Sequence, residues 1–273
     1  MKNRILTSFF VLLLSATMVN AQSRETRTVD RFTKISFRFP GKLYLKQGSP
    51  QKVELEGDKK ILEEVETEVQ GSKLIIGKEG NDWFDWKWND GDEITVYVTV
   101  PNIEAVSVSG SGDIIGEGRM TAGDLDLAVS GSGSLTLEVD ATGEVEADVS
   151  GSGDILIKGK CQRFNSDISG SGKVDMTLAV KNDVDVSVSG SGKILGSGSA
   201  DEIRAAISGS GKVLAADLQT NRCEVRISGS GDVEINVKNE LDATISGSGS
   251  VSYKGNPNKV NSNASGSGKL RKI

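Results

Sequence analysis

Histidine is absent from all 273 residues of this chain, and several other residue types that carry chemistry are scarce. Without histidine there is no Ser-His-Asp triad, no histidine-ligated zinc and no imidazole pH switch. Aromatic residues make up only 5% of the sequence, and proline occurs four times. Hydrolases with a Ser-His-Asp triad and sites with histidine-ligated zinc are therefore excluded. Glycine, by contrast, is abundant, with 33 residues.

The first residues have the pattern of an export signal. Two basic residues precede an apolar run from Phe9 to Leu14, and small residues follow up to Ala21. This pattern predicts a signal peptide over residues 1–21, cleaved after Ala21, and hence a protein exported to the periplasm or cell surface. The run is too short to span a bilayer, so the mature chain is predicted to have no transmembrane segment.

The charge balance limits the class of partner. The net charge is −6, and it becomes −8 when the signal peptide, with its two basic residues and no acid, is removed. An acidic exported protein is a poor candidate for binding nucleic acid or an anionic membrane, so no nucleic-acid partner is expected.

A tetrapeptide repeat dominates the rest of the chain. SGSG occurs nine times, from Ser109 to Ser265, at a nearly constant interval of about 20 residues. Valine or isoleucine precedes eight of the nine motifs, and the second residue after every motif is aliphatic. Stretches such as LDLAVSGSGSLTLEV alternate apolar and polar residues with a period of two, which predicts strands with one buried face. Each repeat is therefore predicted to be a strand, an SGSG corner and a second strand.

A period of about 20 residues with short strands indicates a β-solenoid. The predicted fold class is all-β, a right-handed parallel β-helix with about 20 residues per coil and coils stacked about 4.8 Å apart. The stretch after the second strand contains glycine in some repeats and apolar residues in others, which indicates a weaker period of two coils.

The glycines of the motif are predicted to be structural. A tight corner needs positive φ angles, which glycine adopts without strain, and stacked serines could hydrogen-bond between coils. No ligand is required to explain the motif. The corner glycines are Gly110, Gly112, Gly131, Gly133, Gly151, Gly153, Gly170, Gly172, Gly190, Gly192, Gly209, Gly211, Gly229, Gly231, Gly247, Gly249, Gly266 and Gly268.

The residues between the signal peptide and the repeat form a distinct β-rich segment, 22–100, which contains several strand-like stretches and one short helix-like stretch, DKKILEEVETEV. Because the first coil of a solenoid has an open edge and an open core, this segment is predicted to cap it. The repeat region, 101–273, is expected to follow without a flexible linker.

The two cysteines, Cys161 and Cys223, can be placed from the repeat. Cys223 occupies an inward position, and Cys161 lies near a corner three coils earlier. Three coils separate the two by roughly 14 Å, whereas a disulfide needs Cα atoms within about 7 Å. We therefore expect two free thiols, at least one of them buried.

All three tryptophans lie in one stretch, NDWFDWKWNDGD, from Asn81 to Asp92. Two interpretations remain open for Trp83, Phe84, Trp86 and Trp88. They could form a loop that covers apolar surface of the solenoid, or they could contact a sugar or a partner protein.

The residue after each motif forms a column on the outer surface of a stacked solenoid. Lys173, Lys193 and Lys212 are consecutive in it. This column is either an ordinary solvated face or a shallow basic stripe for an acidic polysaccharide. No complete P-loop and no distinctive carboxylate pair is present, so no catalytic, cofactor-binding or metal-binding residue is predicted.

Taken together, the stretches FTKISFRFPGKLYLKQG and VTVPNIEAVSVSGSGDI and the recurring SGSG coils resemble the auto-transporter adhesin, head GIN domain family of Gram-negative bacteria. The resemblance covers nearly the whole mature chain. It implies a β-helical fold and an adhesin role, and it transfers no catalytic or binding residues.

The function expected from the sequence is an exported, non-enzymatic adhesin or cell-envelope scaffold whose partner is a surface protein or a polysaccharide. The alternative is a periplasmic or surface glycan-binding module that uses the Trp83, Trp86 and Trp88 loop. A polysaccharide-active enzyme is a third, weaker possibility.

Overall fold

A computed structural model of the chain describes residues 23–77 and 94–273. About 75% of these residues are in strands and 3% in a helix, and the strands form a β-solenoid of about eight turns spaced about 20 residues apart. The predicted all-β solenoid is therefore confirmed, while its right-handed sense stays a prediction. The signal peptide and the tryptophan stretch lie outside the described residues.

In residues 23–77 and 94–100, the N-terminal part contains seven strands and one helix. They are β1 Ser23–Arg27, β2 Lys34–Phe37, β3 Lys42–Gln47, β4 Lys52–Gly57, α1 Lys59–Glu64, β5 Glu66–Gln70, β6 Lys73–Gly77 and β7 Thr95–Val100.

The repeat region contains fifteen strands, and each SGSG motif separates two of them. They are β8 Ala105–Gly110, β9 Asp113–Ala122, β10 Leu125–Gly131, β11 Ser134–Ala141, β12 Glu144–Gly151, β13 Asp154–Cys161, β14 Arg163–Gly170, β15 Lys173–Val180, β16 Asp183–Gly190, β17 Lys193–Gly209, β18 Lys212–Gly229, β19 Asp232–Gly247, β20 Ser250–Lys254, β21 Lys259–Gly266 and β22 Lys269–Lys272.

Neighbouring coils are parallel and in register at the motif. In β10 and β12, for example, Val129 pairs with Val149 and Gly131 with Gly151. The aliphatic residues before and after each motif point inward, and alternate residues of the strands fill a narrow core shared by the coils. These aliphatic residues are buried in every coil except the last. The strand before the motif forms the first face of the rod and the strand after it forms the second face.

The N-terminal coils do not stack in chain order. Strands β2 and β3 lie between two other coils, because β2 pairs with both β6 and β8, and β3 pairs with both β7 and β9. Along the rod, β6 and β7 form the first coil, β2 and β3 the second, and β8 and β9 the third. The chain therefore forms the second coil before the first. The division at residue 100 stays a prediction, but the stacked strands continue across it.

The first coil is covered by antiparallel elements. Strand β4 pairs with β7, β1 pairs with β4, and β5 pairs with β6. Helix α1 buries Ile61 and Leu62, and the side chain of Asp58 caps it by accepting a hydrogen bond from Lys60 N at 2.8 Å. This arrangement agrees with a cap over the open end of the core, and the short helix is where the sequence suggested it.

The weaker period of two coils has a packing explanation. In one column within the second strand of five successive coils, Gly159 stacks between Val139 and Leu178, and Gly198 stacks between Leu178 and Leu218. The three aliphatic residues are buried. Coils without a side chain at this position therefore alternate with coils that fill the space.

Both thiols are free and buried, as the stacking predicted. Burial raises the pKa of both Cys161 and Cys223 to about 12. The thiolate, which is the reactive form, is therefore disfavoured at both sites at neutral pH.

Candidate partner-binding surface

The two glycines of each motif are needed for different reasons. The first has a positive φ, between 98° and 128° in the nine motifs, as the sequence predicted. The second does not, but it lies against the preceding coil. A Cβ at Gly172 would approach Val149 Cγ1 to 2.4 Å and Gly153 O to 2.5 Å. The corner therefore needs glycine for its backbone angle at one position and for space at the other.

The serines of the motif do not form the expected ladder of side-chain hydrogen bonds. Between coils the bonds are made by the backbone, for example from Ser171 N to Gly151 O at 2.8 Å. Among the residues that the structure describes, no hydroxyl of the eighteen motif serines has a hydrogen-bond partner in the protein. Nearly all of these serines are exposed, so the corner presents free hydroxyl groups to solvent.

On the first face, opposite charges stack in neighbouring coils. Arg163 pairs with Glu144 at 3.0 Å, and Arg204 pairs with Asp185 at 3.2 Å. Because the register holds these side chains about one coil apart, the sequence itself sets which charges meet.

An acidic cluster interrupts this pattern. Asp126, Glu146, Asp148 and Asp167 lie together on the first face, and Asp148 accepts a hydrogen bond from the backbone N of Asp167 at 3.1 Å. Burial, followed by the neighbouring carboxylates, raises the pKa of both Glu146 and Asp148. This cluster was not predicted from the sequence, although the acids recur two and four residues before the motif.

The Glu146→Gln variant is expected to be more stable than the wild type at pH 7.5, by a few tenths of a kcal/mol because the site is largely exposed. The pKa is raised in the folded state, so ionised Glu146 destabilises the fold above that pKa. The penalty disappears as the pH falls through it.

Thermal unfolding at pH 7.5 and pH 4 would test this expectation. The variant and the wild type should converge at the lower pH, where Glu146 is protonated. Glu117→Gln, an exposed acid outside the cluster, is the control. An equal gain at both pH values would contradict the explanation.

A shallow depression lies beside the acidic cluster. It has a volume of about 420 Å³ and is open to solvent. Its lining includes the charged residues Glu146, Asp185, Arg204 and Arg226, together with the small residues Ser187 and Ala206. A second depression of about 370 Å³ follows the motif serines from Ser189 to Ser246. The first face thus offers charged and hydroxyl groups over several coils.

The second face carries the lysine column, which we define as Lys173, Lys193 and Lys212. The register places the three lysines directly next to one another, as predicted. Asp154 and Asp232 flank them in the adjoining coils. The Ser250 hydroxyl, and then Lys212, lower the pKa of Asp232.

At the N-terminal end of the second face, two aromatic residues stack in the column that lies two residues after the position equivalent to the lysine column. Tyr44 and Tyr97 stack with ring centroids 5.5 Å apart, and the Arg24 guanidinium lies 4.5 Å from the centre of the Tyr97 ring. Because these ring faces are already occupied, this ladder fastens the cap strand β1 to the first coils.

No group of acidic or cysteine side chains in residues 23–77 and 94–273 is arranged to hold a metal ion. In the same ranges no helix is long and apolar enough to cross a membrane.

The segment with Trp83, Phe84, Trp86 and Trp88 lies outside the described residues, but its flanks do not. Strand β6 ends at Gly77, and Ile94 lies beside Gly41, with Lys42 N donating to Ile94 O at 3.0 Å. Gly41 in turn stacks below Gly112, since Asp113 N donates to Gly41 O at 2.8 Å. The flanking residues Gly77 and Ile94 therefore lie at the level of the corner that SGSG forms in later coils.

The sequence matches the family model described as "Putative auto-transporter adhesin, head GIN domain" over residues 31–195 and 175–257. The chain belongs to this family. The matched ranges include the coils made by β2 and β3 and most of the repeat region, so the head GIN domain coincides with the solenoid. No curated protein matches the sequence.

Several solved structures share the head GIN fold. One is described as a putative adhesin from Parabacteroides distasonis, with a TM-score of 0.68 and 20% identity, covering 93% of this chain and 98% of that chain. A putative adhesin from Parabacteroides merdae has a TM-score of 0.68 and 22% identity, covering 92% and 96%. A putative lipid binding protein from P. distasonis has a TM-score of 0.67 and 22% identity, with the same coverage. At these identities the likeness shows the fold alone.

Proposed function

We propose that the protein is an exported, non-enzymatic adhesin or cell-envelope scaffold that holds its partner along the outer faces of the rod. One observation carries this proposal: the register repeats the same outward columns in coil after coil. A partner contact can therefore extend over many coils, while each coil contributes only a few side chains. The membership in an adhesin family supports the same role.

The structure favours a surface for extended partners over a pocket for a small molecule. The depressions on the first face are open to solvent, and charged or hydroxyl-bearing residues such as Glu146, Arg204 and Ser208 occur among their lining residues. Binding pockets for small molecules are usually more enclosed. A long polymer or a partner protein fits an open, periodic face better.

Protease treatment of intact cells is the decisive test. If the protein is displayed at the surface, added protease should cleave it on intact cells, and a deletion strain should attach less well to a surface or to other cells. Protection until the outer membrane is opened would overturn adhesion to outside partners. A periplasmic scaffold would then be the remaining role.

A second candidate is a glycan-binding module that uses Trp83, Trp86 and Trp88. It is supported by the sequence, which places all three tryptophans and Phe84 in one stretch, because exposed indole rings can stack on sugars. Replacing the three tryptophans with alanine should abolish binding on a glycan array without changing the melting temperature. A variant that binds like the wild type would exclude this candidate.

A further inference from the structure

The lysine column departs from the opposite-charge stacking seen in several columns of the rod. Residues of opposite charge stack in neighbouring coils in Glu144 with Arg163, Asp185 with Arg204, and Lys160 with Asp140 at 3.2 Å. In the lysine column, as in the acidic cluster, like charges lie in neighbouring coils, and here three follow one another in register. Adjacent like charges destabilise a sheet, so this column opposes folding where the opposite-charge pairs support it.

The column ends at an acid on each side. Lys173 lies 3.8 Å from Asp154, and Lys212 lies 3.0 Å from Asp232. Lys193, between them, forms no ion pair with any residue in the described part of the chain. It is exposed, and its two neighbours keep 39% and 48% of their side-chain surface accessible. The unpaired positive charge of the column is therefore that of Lys193, and an ion-paired lysine lies in the coil on each side of it.

Protection against aggregation does not explain the column. Lysines that prevent aggregation stand on edge strands, whose backbone groups are unpaired. Here the lysines stand on β15, β17 and β18, and each of these strands has a neighbour on both sides. The fold has no evident need for three adjacent lysines at this place.

The residues beside the column complete an amphipathic strip. On one side lies the exposed Ser191, whose hydroxyl has no partner among the described residues. On the other side, Leu195 and Leu214 are paired in register and half-buried. Asp175 precedes them in the same row, beside Lys173. Ammonium groups, free hydroxyls and aliphatic surface are together the groups that contact a sugar acid, through its carboxylate, its hydroxyls and its C–H face.

We propose that the lysine column binds a linear polysaccharide whose sugars carry carboxylates, lying parallel to the axis of the rod. The inference rests on the proposed function and names its partner class. The length of one sugar unit is close to the coil rise, so carboxylates on successive or alternate sugars meet lysines one or two coils apart. Asp154 and Asp232 repel the chain beyond these coils, which limits the site to about three sugars.

An acidic peptide fits the same column less well. The side chains on one side of an extended peptide recur every two residues, about 6.6 Å, which does not match coils about 4.8 Å apart. Both edges of β17 are already hydrogen-bonded to neighbouring strands, so a peptide cannot add to it as a further strand.

Calorimetric titration of the purified protein with a short alginate oligosaccharide, at low salt, tests the proposal. We expect Lys193→Gln to weaken binding about tenfold and Lys193→Glu to abolish it. Lys181→Gln removes the same charge from the opposite corner of the neighbouring coil and should change the affinity less than twofold. Raising the NaCl concentration to about 0.5 M should weaken wild-type binding, because the charges are exposed.

Melting temperatures separate a binding role from a structural role. Lys193→Glu creates alternating charges between Lys173 and Lys212, so it should raise the melting temperature while it removes binding. A structural lysine would give the opposite result.

The proposal is overturned if the wild type does not bind alginate, if Lys193→Gln and Lys181→Gln lose equal affinity, or if polyglutamate binds as tightly as alginate. These results concern the purified protein alone. The proposed function fails separately, if protease does not reach the protein on intact cells.

Discussion

Replacing Gly170 with alanine is expected to destabilise the fold by about 3 kcal/mol, because two penalties combine. The residue has a φ of 126°, which strains any side chain. A Cβ there would also approach Gly151 O, a backbone atom of the previous coil, to 2.5 Å. Since that oxygen accepts the hydrogen bond from Ser171 N, it cannot move without breaking the bond.

Two other glycines make this prediction quantitative. Gly118 has a φ of 77° but nothing within 4 Å of its Cβ position, so Gly118→Ala isolates the strain and should cost about 1–2 kcal/mol. Gly123 has an open Cβ position and no positive φ. Gly123→Ala should be neutral, or stabilising by about 0.5 kcal/mol.

Urea unfolding of the three variants is the measurement. The expected order of stability is Gly123→Ala, then Gly118→Ala, then Gly170→Ala. If Gly118→Ala and Gly170→Ala lose the same stability, then contact between coils contributes nothing and the backbone angle alone explains the motif.

Replacing Phe164 with alanine is expected to cost about 3–5 kcal/mol, the usual range for a fully buried phenylalanine. Phe164 has no exposed surface and stacks between Val145 and Val184 in the neighbouring coils. The nearby inward positions hold the small residues Ala147 and Ser166, which leave room for the ring. Those small residues cannot fill the cavity that alanine leaves.

The position of Phe164 in the middle of the rod adds a second expectation. In a solenoid, each coil is stabilised by its two neighbours, so a weakened central coil uncouples the two halves. Phe164→Ala should therefore broaden the urea transition, or split it in two, whereas Phe164→Leu should keep one transition and cost about 1 kcal/mol.

Val260→Ala is the matched control at the end of the rod, where the side chain is 41% exposed. It should cost less than about 1 kcal/mol. If it cost as much as Phe164→Ala, the buried ring would not be an important part of the core.

The repeat region could be predicted because each side chain follows one rule. Val129, Leu135 and the residues at the equivalent positions of other coils point inward. The repeat period of the sequence is therefore the repeat period of the structure. The same rule correctly placed Lys173, Lys193 and Lys212 in one column and kept the two cysteines apart. Local pattern was sufficient because neighbouring coils are also near in sequence.

The N-terminal part could not be predicted in the same way. Phe39, Pro40 and Gly41 occupy the corner position of a coil, but they share only the final glycine with SGSG. The pairing of β2 with β8 joins Lys34 to Ala105, a contact between distant parts of the sequence that no local period reveals. The acidic cluster was missed for another reason: Glu146 and Asp148 look like ordinary surface residues until the register brings Asp126 and Asp167 beside them.

The displaced order of the first coils has a consequence for how the molecule is made. A chain that emerges N-terminus first exposes β2 and β3 before either of the coils that flank them exists. A coil without neighbours has no core, so this segment is expected to stay unfolded until β6 to β9 have followed. From β8 onward, each new coil can pack directly on the previous one. The slow step of folding is therefore expected in the first third of the chain, and the remaining coils should then add in the order in which they emerge.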